Sequence, residues 1–126
     1  MNRLFGAFAV LAGVIIIVVS GFFINTSTAR NVGNLLSLSM EYAEKGDIKN
    51  AENSLEKAKN QWEKNMETML LFISHGRLDE IEKTINTACS YMKSREISLY
   101  KAECISAYLL IDNFRNVEYP NINNIF

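Results

Sequence analysis

LFGAFAVLAGVIIIVVSGFFI, residues 4–24, runs for 21 positions without a charge, and its reading decides what the rest of the chain is. At a rise of about 1.5 Å per residue the run spans about 31 Å as a helix, the thickness of a bilayer's hydrocarbon core. Arg3 precedes it and the polar stretch Asn25-Thr26-Ser27-Thr28 follows it. A cleavable leader is the competing reading, since Ser27-x-Ala29 is an acceptable small-residue cleavage site. Leader cores are about 7–15 residues long, and this one is longer, with no helix break before its end. The run is therefore read as an uncleaved, signal-anchor type transmembrane helix. Arg3 on its N-terminal flank, with Arg30 the nearest base beyond it, favours an N-terminus in the cytoplasm and a soluble part outside it. Small residues recur within the run at Gly6, Gly13 and Ser20, with Ala9 four before Gly13. That stripe lets a second helix approach closely; the other reading is that Gly and Ala are simply common in such helices.

Working outward from the anchor, the chain of 126 residues carries 14 acidic side chains against 13 Lys plus Arg. Setting Arg3 aside leaves 12 basic residues in the rest. No basic stripe exists for a nucleic acid. One Pro, at 120, and only two Gly beyond residue 33, at 46 and 76, leave long stretches free to be helical. Apolar residues recur at alternating steps of three and four: Ile48, Ala51, Leu55, Ala58, Trp62, Met66, Met69, Ile73; then Leu78, Ile81, Ile85, Ala88, Met92; then Ile97, Cys104, Tyr108, Ile111, with Ile105 and Leu109 widening the face. Leu35, Leu38 and Tyr42 form an earlier segment.

Gly46-Asp47 supplies a helix stop and then an N-cap. His75-Gly76 is read as the end of the next helix, and Lys93 to Glu96 as a tight link. The spacing thus predicts helices over 30–45, 47–75, 77–93 and 96–115, the first continuing the anchor upward unless it bends near Gly33. Short links force antiparallel neighbours. The expected fold class is all-α: one N-terminal transmembrane helix and a small antiparallel bundle of about four helices. By residue, that gives a cytoplasmic N-terminus (1–3), an anchor (4–24), a bundle (25–118) and a C-terminal docking tail (119–126).

Two resemblances accompany this reading. Residues 35–58, LLSLSMEYAEKGDIKNAENSLEKA, resemble one tetratricopeptide helical hairpin through Leu35, Leu38, Ser39, Tyr42, Gly46, Ala51, Leu55 and Ala58. Glu63 stands where that repeat ends on Pro, and one unit is short of the three or so a solenoid needs. The resemblance implies a way of packing two helices, and at its furthest a peptide-binding groove. Over nearly the whole chain, Trp62, the stretch LLFISHGRLDEIEKTI (70–85) and the terminal NIF (124–126) resemble a bacterial family known as domain of unknown function 4363. That likeness implies a short membrane-anchored helical protein and carries no reaction with it.

The chemistry-bearing residues are few. His75 is the only histidine, and a His-Gly pair at a helix end is read as a cap; the family likeness adds that His75 and Asp79 form the hydrogen bond fixing that elbow. Cys89 and Cys104 fall on apolar faces of neighbouring helices within about a turn of each other. They are read as buried free thiols by default, with a disulfide open to them outside the cell. Two Cys and one His without C-x-x-C spacing do not make a zinc site. G-x-S-x-G, H-E-x-x-H and Gly-rich phosphate loops are absent from the sequence. Trp62 is expected to anchor the core. Ile125 and Phe126, ending a polar tail, are expected to dock on the bundle near His75-Gly76. No catalytic, cofactor or metal residue is assigned. The expectation is a non-enzymatic accessory or adaptor protein whose partner is an integral membrane protein, or a second copy reached through the anchor.

Overall fold

The computed structural model describes residues 2–70 and 73–118. These form α1 (Asn2–Glu44), α2 (Ile48–Met69), α3 (His75–Lys93) and α4 (Ile97–Glu118). The fold is all helical, and its first helix is apolar enough over Asn2–Gly21 to cross a membrane.

α1 is one helix of 43 residues, about 65 Å long. It stays helical through Asn25–Thr28 and through Gly33. Gly33 faces α4, where a Cβ built there would make an ordinary contact with the Tyr108 ring at 3.7 Å. α1 stops at Gly46, whose φ of +80° suits the left-handed position after a helix. Gly46 N–H donates to Ala43 O (3.1 Å) and Asp47 N–H to Tyr42 O (2.9 Å), which satisfies the last carbonyls. Asp47 then caps α2, its carboxylate accepting from Asn50 N–H at 3.3 Å and from Asn50 Nδ2 at 2.7 Å.

α2 buries Ala51, Ser54, Leu55, Ala58, Trp62 and Met69, the expected stripe. It ends at Met69 and does not reach residue 75. His75-Gly76 therefore opens the next helix where the spacing had it closing the previous one. Ser74 is extended, with ψ 138°, so the chain restarts there. Gly76 falls in the first turn of α3, and among the described glycines only Gly46 has positive φ. A Gly in an ordinary helical conformation gives no stop.

α3 buries Leu78, Ile81, Ile85, Ala88 and Met92, all as expected. It closes with the same bonds as α1: Arg95 N–H donates to Met92 O and Glu96 N–H to Tyr91 O. Here Arg95 takes the left-handed place, φ +59°, and its guanidinium reaches Glu52 on α2 at 3.0 Å. α4 differs from expectation. Its core residues are Tyr100, Cys104, Ala107 and Ile111, while Ile105, Tyr108 and Leu109 are 50%, 40% and 54% exposed.

Each helix packs on two neighbours, α1 on α2 and α4, α3 on α2 and α4. The core between them is tied by one buried polar node. Ser39 Oγ donates to Ala51 O at 2.6 Å and also meets the Tyr100 hydroxyl, joining α1, α2 and α4. Because neighbours are antiparallel, the α2–α3 link and the end of α4 lie at the end of the bundle where α1 leaves it toward its apolar half.

Candidate interaction surface

The outward faces of the helices are unlike each other. α2 turns Lys49, Glu56, Lys57, Glu63, Lys64 and Glu67 to solvent, and α3 turns Arg77, Asp79, Glu80 and Lys83. α4 turns out Ser98, Leu99, Ala102, Ile105, Ser106, Leu109 and Asn113, none of them charged. Leu99, Ile105 and Leu109 are about half exposed. Depletion of charge around exposed aliphatic side chains is the compositional mark of an interface core; among the described residues of α2, α3 and α4 the exposed positions of α4 come nearest to it, with half-buried Lys101 and Asp112 at the margin of that face. Helical spacing did signal these residues, since Ile105 and Leu109 extend an apolar face. What it could not tell is which part of that wide face turns inward.

On α1, Gly6, Ala9 and Ser20 are exposed and Gly13 is half-buried. A Cβ added at Gly6 or Gly13 would meet nothing within 4 Å, so the stripe is open along the apolar half of the helix. Trp62 is 1% exposed, a core residue, and its Nε1 has no partner among the described residues.

His75 and Asp79 do meet, Nδ1 to Oδ2 at 2.7 Å. The pair is one turn apart on α3 and well exposed, so it closes the first turn of that helix and does not lock α2 to α3. Gly76 beside it is exposed. Ile125 and Phe126, and with them the expected docking of the tail, lie outside the described residues.

Cys104 is buried and Cys89 half-buried, both as free thiols. Burial pushes the Cys104 thiol up to about 12, and burial also raises Cys89. A thiol held neutral in this way is a poor nucleophile. Cys89 opens on a cleft of about 30 Å³ between α2 and α3, rimmed by Glu52, Glu56, Lys59 and Lys93, with room for about one water. Other hollows are shallow and open: one of about 310 Å³ along Asn31, Asn34, Leu35, Leu38 and Gln61, and one of about 540 Å³ along Asp79, Glu82, Lys83 and Asn86. Among the described residues no three of His, Cys, Asp and Glu converge as metal ligands would.

In comparison with known proteins, the family described as "Domain of unknown function (DUF4363)" matches residues 19–125. No curated protein and no solved structure matches the chain.

Proposed function

The chain belongs to the family described as a domain of unknown function (DUF4363), and we propose that this member is a membrane-anchored, non-enzymatic accessory or adaptor protein for an integral membrane partner. The exposed aliphatic face of α4, Leu99, Ala102, Ile105 and Leu109, with Lys101 and Asp112 half-buried at its margin, carries the reading. It sits on a bundle whose first helix continues into an apolar half with a small-residue stripe, so one partner embedded in the same membrane can meet both. In this reading α1 remains uncleaved, its N-terminus lies in the cytoplasm, and the bundle stands on the outer face.

The test is affinity purification of the full chain in mild detergent, beside an Ile105→Lys, Leu109→Lys double variant. Both side chains are about half exposed, so the variant keeps its helical content. An integral membrane protein recovered with the wild type and lost with the variant supports the reading. A wild-type chain recovered alone and monomeric overturns it. Orientation is tested by adding protease to intact cells stripped of wall; digestion of the bundle is expected, and full protection until lysis reverses the topology.

A second reading, peptide binding by the hairpin at 35–58, rests on the open groove along Leu35, Leu38 and Gln61. The opposite side of that hairpin is filled, because Ala51 is fully buried and Ser39 bonds Tyr100 of α4. The groove is shallow and is lined by Leu35 and Leu38 beside the amides of Asn31, Asn34 and Gln61.

A further inference from the structure

The helices of the bundle have a readable register against α1. Ser39 bonds Ala51 on α2, and Gly33 touches Tyr108 on α4. Stepping equally down both antiparallel helices from those contacts brings Met69, the end of α2, opposite about residues 21–23 of α1. The same steps bring Glu118, the end of α4, to that level too. Burial agrees with the register: Gly21 is buried, although it lies inside the apolar run, and Met69 is fully buried. The bundle therefore does not begin where the anchor ends. Its lower rim overlaps the last turn of the segment that fills a bilayer.

At that rim Leu70, which closes α2, is 37% exposed, and Ile73 is half-buried against the core. Above the rim Arg77 and Lys64 are exposed within about one and a half turns and Arg30 about two and a half turns up, and Glu63, Glu67, Asp79 and Glu80 are exposed over the same heights. Among the described residues the rim thus offers lipid apolar contact and no net positive field for anionic headgroups.

We infer that the α2–α3 end of the bundle is seated in the interfacial layer of the bilayer, with Leu70 against lipid. The occupant of this surface is the membrane itself, continuous with the lipid around α1. The inference rests on the reading of α1 as a membrane anchor. Two contacts with one membrane, a spanning helix and an embedded rim, hold the bundle at a fixed height and tilt. The exposed aliphatic face of α4 is thereby presented parallel to the membrane normal, toward neighbours in the same bilayer.

The test uses the full chain in phosphatidylcholine nanodiscs, with the photocrosslinker benzoylphenylalanine introduced singly at Ile15, Leu70 or Asn86. Ile15 is an exposed residue of the apolar half, and Asn86 is an exposed residue of α3 about 20 Å above the rim. Lipid adducts at Ile15 and Leu70 but not at Asn86, read by mass spectrometry, are the expected result. Adducts at Ile15 without any at Leu70 overturn the seated rim and leave the anchor standing. No adduct at Ile15 overturns the anchor and the rim together. Equal adducts at Leu70 and Asn86 mean the bundle lies on its side, which also overturns the proposal. Circular dichroism of each labelled chain confirms that the helices are intact.

Discussion

The two halves of α1 are one continuous helix in two different surroundings. In the lower half, Phe5, Ile15 and Val19 are 75%, 53% and 60% exposed, and apolar residues cover every side. In the upper half, Val32, Leu36 and Ser39 are fully buried, and apolar residues keep to one side, with Arg30, Glu41 and Glu44 exposed on the other. A helix that is apolar all round has no face to offer water. A helix with one apolar stripe needs a partner for that stripe and tolerates water elsewhere. Helical propensity does not separate the halves; the angular spread of the apolar side chains does.

That contrast is most sharply tested at Leu36. Leu36→Ala should destabilise the bundle by about 2–5 kcal/mol, the range for a fully buried Leu, seen as a lower Tm of the detergent-solubilised chain by near-ultraviolet circular dichroism. A change under about 1 kcal/mol would mean the upper half is not core. Next is Ser39→Ala, which takes from the buried Tyr100 hydroxyl its Ser39 partner and should cost about 1–3 kcal/mol. Tyr100→Phe should cost less, because Ser39 keeps its bond to Ala51.

Alkaline pH probes the same core. Burial raises the Cys104 thiol to about 12 and raises the Tyr100 hydroxyl further. The folded state thus holds protons that the unfolded chain releases from about pH 9. The resulting stability is fully present below pH 9 and is lost as pH climbs toward 12, at up to about 1.4 kcal/mol per pH unit for one group. Tm measured from pH 8 to 11 should fall, and Cys104→Ala should flatten the fall.

Smaller effects are expected where α1 leaves the core and where it enters the lower half. Gly46→Ala forces a Cβ into left-handed backbone and should cost about 1 kcal/mol. Ile15→Ala, at an exposed position well below the bundle's rim, should change the bundle's unfolding by less than about 0.5 kcal/mol. A loss at Ile15 comparable to that at Leu36 would erase the contrast between the halves.

Much of this was legible before folding. The apolar stripes of α2 and α3 were readable residue by residue, because each helix buries a narrow face at steps of three and four. The turn at Gly46-Asp47 was readable because only Gly takes that φ cheaply. The end of α2 was not: His75-Gly76 has the composition of a stop, but the conformation of Ser74 makes it a start. The α4 face was not either. Ile105, Tyr108 and Leu109 fit a helical stripe as well as Tyr100 and Ala107 do.

By itself, then, the sequence determined that the chain is helical, that its first 24 residues suit lipid, and where most core residues fall, since these depend on local periodicity and side-chain polarity. Tertiary structure decided the rest. α4 rotates so that Tyr100 reaches Ser39 and Cys104 and Ile111 fill the core, and this rotation turns Ile105 and Leu109 outward. The register that lowers the α2–α3 end to the level of Gly21 is likewise set by contacts between helices far apart in sequence, which no single stretch of residues encodes.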